Sequence, residues 1–280
     1  MLFWQQPLAQ INDKESLAFF LCSCQLECSS ETRSALRPSL LYRGMKQLSP
    51  LCASIAYFNG IESAFNLDFK LFQEFKAKIL SQRLNTRCKT DWDTISLGRH
   101  FGLPTRYLDW SSNPLVAIWF AIHSWENDTP RLSDKSSDGT PVVWVLRTKT
   151  DDFISNIKKS SPYPTRRNGK TKIFKTRNDI PRVRNQSSFM MRQVFISHDR
   201  LTKEKEPEKL QIEPVNENLT FKDRVCSVVI DHAFVQELNT MLEGMGINYI
   251  FLFPEEPTDN DIWRLRMVVE EILAKYTQPT

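Results

Sequence analysis

The sequence predicts a single α+β domain in which a helical amino-terminal part packs on a mixed, mostly antiparallel sheet. Apolar residues recur at three- and four-residue spacing over 61–80, which is typical of a helix that buries one face. Short apolar runs at 142–146 and 225–230 are typical of buried strands. No stretch resembles an interdomain linker, and helices are concentrated early in the chain. We therefore expect one domain with its core over 36–256.

The first elements follow from apolar patterns. A helix is expected over 13–27, within an amino-terminal segment 1–35, and a short apolar strand over 40–42 ends at Arg43. A helix over 92–101 ends at the flexible Gly102 and the proline that follows, because the residue before a proline avoids helical backbone.

The next helix, over 114–122, has the clearest start signal. Asn113 offers a capping oxygen, and Pro114 stands at the first helical position, where its missing N–H costs nothing. The second half of the chain is less regular. We expect a polar loop over 127–141, strands over 142–146, 194–197, 225–230 and 249–253, a charged connection over 201–223, and helices over 234–245 and 262–276, the last within a carboxy-terminal segment 257–280.

Composition excludes several classes of protein. The 280 residues are 41% hydrophobic, enough for a sizeable core, but the longest apolar run, 115–122, is far shorter than the ~20 residues of a membrane-spanning helix. The amino terminus lacks the features of a secretory signal, and the six cysteines are widely spread. We therefore expect a cytoplasmic protein with reduced thiols, no membrane partner and no bound metal. The glycines form neither a P-loop nor a dinucleotide fingerprint.

Polar residues crowd the junction between the strand that follows Pro104 and the capped helix. They are Arg106, Asp109, Trp110, Ser111 and Ser112. The unpaired N–H groups and the positive dipole end of a helix start favour an anionic ligand. An alternative stays open: Asp109 and Arg106 could pair only to hold the turn, with Ser111 as a cap.

A basic segment follows the strand at 142–146. Between 158 and 184 lie ten basic residues and a single acid, Asp179, with few apolar residues, so we expect an exposed excursion. Its cations could bind phosphate backbones, and Phe174 or Tyr163 could stack on an unpaired base. The alternative is a solvated loop. The candidate nucleic-acid contacts are Arg166, Arg167, Lys170, Lys172, Lys175, Arg177, Arg182 and Arg184.

Around the strand that ends at Arg43 and the junction before the capped helix, the sequence resembles the FRG-domain family, named for a Phe/Tyr-Arg-Gly motif. Tyr42-Arg43-Gly44 matches that motif. The family's central signature is matched by residues 100–106, by Leu108-Asp109-Trp110 and by Asn113-Pro114-Leu115. Arg184, Gln186 and Phe189 match an Arg-x-Gln pattern followed by an aromatic residue, and Gly246-Ile247 with Phe253-Pro254 match a late pattern. The resemblance runs from about Leu41 to Pro254.

A weaker resemblance links the chain to ADP-ribosyltransferases of the arginine type. These enzymes place an Arg at the end of a first strand, a Ser-Thr-Ser-like turn before an Ala-rich helix, and a Glu at a late strand. Arg43, Ser111-Ser112 and Gln186 stand in the corresponding order here. The resemblance implies NAD as substrate and no metal, with a glutamine where the late acid would be.

The second resemblance also implies roles for single residues. Breaking the nicotinamide–ribose bond creates a cationic, oxocarbenium-like sugar, which an acidic or accepting group stabilises. Arg43 would hold the diphosphate, Ser111 would frame the ribose, and Gln186 would act with Asp109 or Glu255 in place of the missing acid. The implied cofactor-binding residues are Tyr42, Arg43, Gly44, Arg106, Trp110, Ser111 and Ser112, with Trp110 or Tyr42 stacked on the nicotinamide.

The leading hypothesis is an ADP-ribosyltransferase-like enzyme that modifies nucleic acid rather than protein. The resemblance suggests a toxin or antiphage effector, for which a neutralising antitoxin protein would be a partner. Two alternatives stay open. One is a noncatalytic nucleic-acid-binding module that ignores NAD. The other is a metal-dependent nuclease, which requires clustered carboxylates.

Overall fold

A seven-stranded sheet forms the centre of the molecule in the computed structural model, which describes residues 9–29, 37–84, 88–126, 129–132, 139–157, 160–163, 170–176, 181–197, 210–254 and 260–277. The strands are β1 (Ala9–Ile11), β2 (Leu40–Met45), β3 (Tyr107–Ser111), β4 (His123–Glu126), β5 (Thr129–Leu132), β6 (Val142–Arg147), β7 (Lys172–Lys175), β8 (Ser188–Arg192), β9 (Phe195–Ser197), β10 (Leu210–Ile212) and β11 (Val225–Ile230). The helices are α1 (Lys14–Ser29), α2 (Ala64–Ser81), α3 (Asp91–His100), α4 (Pro114–Ile122), α5 (Pro181–Asn185), α6 (Val235–Gly244), α7 (Tyr249–Leu252) and α8 (Asn260–Tyr276).

The sheet order is β1-β11-β6-β2-β3-β8-β7. Only the edge pair β1–β11 is parallel, and all other neighbours are antiparallel. Two further pairs, β4–β5 and β9–β10, lie outside this sheet. The predicted α+β class with a mixed, mostly antiparallel sheet is therefore confirmed.

Helices cover one face of the sheet on both of its halves. Leu40 and Tyr42 of β2 pack in a core cluster with residues of α1, α4 and α6. Leu41, which points to the opposite face, packs with Leu108 of β3 in a second cluster. Tyr107, the neighbour of Leu108, packs instead with residues of α2 and α3. Thus α4 covers the β2 half and α3 covers the β3 half, on the same face.

The sheet opens in its middle. Strand β2 pairs with β6 along its whole length, and β3 pairs with β8 in the same way. Between β2 and β3, by contrast, the ladder holds only the pair Tyr42 and Ser111. Beyond Tyr42 the two strands part, which leaves a gap between the two halves of the sheet below α3 and α4.

Most predicted elements are confirmed within a few residues: α1, α2, α3, α4, α6, α8, β2, β6, β9 and β11. The strand predicted over 249–253 is wrong, because Asn248 accepts a hydrogen bond from the Phe251 N–H at 2.9 Å and caps a short helix, α7. The exposed excursion is also wrong in part. Residues Lys172–Lys175 form edge strand β7, where Ile173 and Phe174 are buried.

The polar loop at 127–141 and the charged connection at 201–223 are each interrupted by a short strand, β5 and β10 respectively. Both strands pair locally, β5 with β4 and β10 with β9, so neither joins the main sheet. Within the ranges given above, no helix is both long and apolar enough to cross a membrane.

Gly44 allows α4 to lie directly on β2. A Cβ atom at this position would lie 1.9 Å from the Ala117 carbonyl oxygen and 2.5 Å from the Ala121 amide nitrogen, both backbone atoms of α4. The helix could not move aside without losing its packing on the sheet. The glycine is therefore required by packing, whatever the cleft beside it binds.

We predict that Gly44→Ala lowers the free energy of unfolding by about 2–3 kcal/mol, because the added methyl overpacks the contact between β2 and α4. Denaturant unfolding measures the change. Gly244→Ala is the matched control: its Cβ would meet no atom within 4 Å at the end of α6, so its stability should equal or slightly exceed that of the wild type. Equal stabilities of the two variants would contradict this account.

Candidate functional site

A cleft of about 750 Å³ lies over the opening of the sheet. Its walls come from β2, β3, the end of α3, α4, α5 and the first residue of β8, and Phe253 closes one side. The sequence-predicted residues that line it are Tyr42, Arg43, Gly44, Asp109, Trp110, Ser111, Arg182 and Gln186. The structure thus brings together polar positions from three distant parts of the chain.

Asp109 holds two guanidinium groups in this cleft. The Nη1 of Arg43 donates to the backbone carbonyl of Asp109 at 2.7 Å, across the gap where β2 and β3 no longer pair. The Nη2 of Arg99, on the last turn of α3, lies 2.8 Å from the Asp109 carboxylate oxygen Oδ2. Asp109 therefore pairs with Arg99 and not with Arg106.

The cleft has an excess of positive charge. Among the residues that the structure describes, its lining includes the cationic side chains of Arg43, Lys46, Arg99 and Arg182, against the carboxylate of Asp109. Burial lowers the pKa of Arg43 to about 10, with the Asp109 carboxylate opposing that effect, so the guanidinium stays protonated at neutral pH. Such a lining favours an anionic ligand.

Several buried side-chain nitrogens of the lining residues have no hydrogen-bond partner among the described residues. They are the Nε of Arg43, the Nε of Arg99, the Nε2 of His100 and the Nε1 of Trp110. Buried polar groups in folded proteins are nearly always paired, and exceptions often mark a place for a ligand. Three of these nitrogens are donors, which would match an acceptor such as a phosphate oxygen.

Ser111 and Gln186 tie the walls of the cleft together. The Ser111 hydroxyl donates to the Gln186 carbonyl at 2.8 Å and accepts from the Asn113 N–H at 3.0 Å. Asn113 in turn caps α4 through Leu115, as predicted. The Gln186 amide nitrogen donates to the Leu252 carbonyl at 3.1 Å, and its oxygen has no partner among the described residues. Ser111 is thus held mainly as a positioning group.

Ser112 contributes through its backbone. Its N–H donates to the Ser187 carbonyl at 3.1 Å, and its side chain is not part of the cleft lining. This bond extends the junction between β3 and the start of β8. The two serines of the junction therefore differ, since only Ser111 faces the cleft.

Arg106 does not reach the cleft. Its backbone N–H donates to Oδ1 of Asp68 at 2.9 Å and its Nε pairs with Oδ2, while its guanidinium lies between the rings of Tyr163 and Phe195. Asp68 is fully buried on α2, so the pair fastens α2 to the start of β3. The expected cofactor role of Arg106 is corrected to a structural one, because a buried ion pair holds it away from the site.

The expected stacking residues are also corrected. Tyr42 and Trp110 are each only 2% exposed, because their rings pack in the hydrophobic clusters on the two faces of the sheet. Neither ring offers a face to a ligand. Phe120 and Phe253, both half-buried, line the cleft instead, with ring centroids 6.1 Å apart.

Arg182 was expected to contact nucleic acid and instead lies in the wall of the cleft. It is 8% exposed, its Nη1 donates to the His100 carbonyl at 3.0 Å, and its guanidinium lies over the Phe253 ring at 4.7 Å. Phe174 and Tyr163 are likewise not available for base stacking. Phe174 packs on Trp92 at 4.4 Å, and the Tyr163 hydroxyl donates to the Asp68 carbonyl.

The other basic residues divide into three groups. Lys170 and Arg184 are exposed. Lys172 and Lys175 are half-buried on β7, where the Lys172 amine donates to the Asp151 carbonyl and the Lys175 amine lies 5.8 Å from the Phe189 ring centre. Arg166, Arg167 and Arg177 lie outside the described residues, as does Glu255.

Sequence reasoning missed Arg99, Phe120 and Phe253 as lining residues. Arg99 precedes the central signature by one position and stands in the last turn of a predicted helix, where a basic side chain normally only complements the helix dipole. Phe120 lies in an apolar run that predicts a buried helix. The one available signal was Phe253, which stands in the late Phe-Pro pattern.

The cleft also predicts a pH dependence of stability. Burial lowers the pKa of His100 from 6.5 to about 4, with Arg182 and Arg99 adding to the effect and Asp109 opposing it. Between these values the unfolded chain binds a proton that the folded chain does not, so the free energy of unfolding should fall as pH falls from about 6.5 to about 4. His100→Gln should flatten this slope in denaturant titrations, apart from a part left by His123, whose pKa burial also lowers. An unchanged slope would contradict a buried, neutral His100.

Comparison with known protein families gives a match to part of the chain. Residues 38–129 match the model of the FRG domain, a range that includes the Tyr42-Arg43-Gly44 motif and the central signature. Neither the curated proteins nor the solved structures contain a match to this chain. Arg43, Arg99, Asp109 and Ser111 lie inside the matched range, whereas Gln186 lies outside it. Over residues 38–129 the chain is therefore similar to the FRG domain.

Proposed function

We propose that this protein binds NAD in the cleft and transfers its ADP-ribose group to an acceptor, which is nucleic acid rather than protein. The observation that carries the proposal is the convergence of Arg43, Asp109, Ser111 and Gln186 on one cleft. Arg43, Ser111 and Gln186 stand in the order of the Arg, Ser and Glu positions of arginine-type ADP-ribosyltransferases, with a glutamine in place of the Glu. The cleft's volume of about 750 Å³ is within the usual range for a small-molecule site.

The cationic side of the cleft would bind the diphosphate. Arg43 presents a planar guanidinium whose Nη1 is anchored on Asp109 and whose buried Nε is unpartnered among the described residues. A guanidinium meets phosphate oxygens through two parallel hydrogen bonds, and each such charged hydrogen bond is worth about 1.5–3 kcal/mol. Lys46, exposed at the mouth of the cleft, adds charge that would attract the ligand.

The apolar side would bind a planar ring. Phe120 of α4 and Phe253 line the cleft, and Val116 and Ala117 lie beside them. Arg182 packs against Phe253, with its guanidinium 4.7 Å from the ring centre. A ring stacked on either phenylalanine would gain about 0.5–1.5 kcal/mol beyond its area burial.

Transfer breaks the C–N bond between ribose and nicotinamide. The bonding electrons leave with nicotinamide, the sugar becomes cationic, and the acceptor's nucleophile attacks it and then loses a proton. Asp109 offers a negative charge to the cation, although Arg99 partly neutralises that carboxylate. Gln186 offers an amide oxygen, since its nitrogen is held by the Leu252 carbonyl. A dipole opposes the cation less than a full charge does, so we expect a slow enzyme.

The proposal of a nucleic-acid acceptor draws on the exposed cations of the basic segment, Lys170 and Arg184. It no longer draws on Arg182, Phe174 or Tyr163, which are packed inside. The role of a toxin or antiphage effector with an antitoxin partner stays a prediction of the resemblance. For the nuclease alternative, the described ranges hold no cluster of three His, Cys, Asp or Glu side chains that could bind a metal.

The test is incubation of the folded protein with adenine-labelled NAD and separate pools of RNA, DNA and protein. We predict slow release of nicotinamide and label in a nucleic-acid pool. Arg43→Gln should lower both by at least about 100-fold, the size of effect seen when one preorganised stabilising group is removed. Arg264→Gln, on α8 and outside the cleft lining, is the matched control and should behave as the wild type.

Each outcome separates the hypotheses. Label in the protein pool only would overturn the nucleic-acid acceptor but keep the enzyme. No nicotinamide release from a folded sample would reject catalysis. Retention on RNA or DNA that weakens steeply with salt and ignores NAD would instead support the noncatalytic binding module.

A further inference from the structure

We infer that Arg99 is a second phosphate-binding residue of the cleft, and that Arg43 and Arg99 together select a diphosphate over a single phosphate. The inference rests on the proposed function, since the diphosphate would be that of NAD. It starts from one geometric fact: both guanidinium groups are held by Asp109.

Arg99 keeps hydrogen-bonding capacity after it pairs with Asp109. Its Nη2 contacts the carboxylate at 2.8 Å, whereas its Nε is buried and unpartnered among the described residues. The side chain is 19% exposed and lines the cleft. A guanidinium carries five N–H donors in a rigid fork, so one edge can hold Asp109 while another meets an anion.

Arg43 and Arg99 approach Asp109 from opposite sides of the opening. Arg43 comes from β2 and contacts the Asp109 backbone, and Arg99 comes from α3 and contacts its side chain. Because one group contacts the backbone carbonyl and the other the carboxylate of the same residue, we infer that one extended anion can reach both. Each also has one unsatisfied buried Nε, so the two sites repeat the same chemistry.

The local charge favours an anion with more than one charge. Asp109 holds the Arg99 guanidinium with its carboxylate and the Arg43 guanidinium with its backbone carbonyl, and Arg182 and Lys46 add two more cations to the lining. Burial lowers the pKa of Arg43, and the like charge of the Arg99 guanidinium lowers it further. An anion that bridges them would relieve this repulsion, and a diphosphate supplies oxygens at both ends.

The test measures affinity by calorimetric titration with inorganic pyrophosphate, inorganic phosphate and adenosine. The affinity of the wild type for pyrophosphate should exceed its affinity for phosphate about tenfold or more, since pyrophosphate contacts two charged sites instead of one. Arg99→Gln should weaken the affinity for pyrophosphate about tenfold or more, to near the affinity for phosphate. The affinity of this variant for adenosine should stay within about twofold of the wild-type value. Arg264→Gln is the control and should match the wild type.

Arg99→Lys covers the case in which the glutamine variant does not fold. Lysine keeps the charge beside Asp109 but lacks the planar, forked guanidinium. The affinity of Arg99→Lys for pyrophosphate should therefore fall about threefold or more, while its melting temperature stays unchanged. A role confined to positioning Asp109 would leave the ratio of pyrophosphate to phosphate affinity as in the wild type.

Two results would overturn the inference. In the first, both Arg99 variants bind pyrophosphate as tightly as the wild type, whereas Arg43→Gln loses that affinity. The proposed function would then still hold, with Arg43 as the diphosphate-binding residue. The other is equal wild-type affinity for phosphate and pyrophosphate. If the wild type binds neither pyrophosphate nor NAD, the proposed function fails together with the inference.

Discussion

The pairing of Asp109 with two arginines is the interaction on which the cleft depends. Strands β2 and β3 share a single ladder pair and then part, which removes backbone hydrogen bonds from the middle of the sheet. The Arg43 side chain bridges that gap to the Asp109 carbonyl, and the Asp109 carboxylate draws Arg99 in from α3. Cationic side chains thus replace part of a strand ladder, and both arginines line the cleft over the opening.

The surrounding fold holds this opening in place. Gly44 lets α4 rest on β2 at one side, and the Asp68–Arg106 pair fastens α2 to β3 at the other. The Ser111 hydroxyl donates to the backbone carbonyl of Gln186, and the Gln186 side-chain amide donates to the carbonyl of Leu252. These two bonds join β3 to the segments around Gln186 and Leu252. Arg106 and Ser111 therefore hold the elements around the cleft together. Arg106 does not reach the cleft, and the Ser111 hydroxyl is engaged with the backbone of Gln186 and Asn113.

Local signals predicted much of the fold but only part of the site. The start of α4 was predictable because Asn113 and Pro114 act on their immediate neighbours. The pairing of Asp109 with Arg99 and not with Arg106 could not be predicted. Either arginine could pair with Asp109 from its place in the sequence, and only tertiary packing places Asp68 beside Arg106. The helix at α7 reads as a strand from its apolar run, and the Asn248 cap decided against it.

The central claim is that one anion bridges two guanidiniums over the opening of the sheet. A crystal structure of the protein with ADP-ribose tests it most directly. The account predicts diphosphate oxygens within about 3 Å of both Arg43 and Arg99, with one ring of the ligand against Phe120 or Phe253. A ligand bound elsewhere, or a diphosphate that contacts neither arginine while both stay on Asp109, would contradict it.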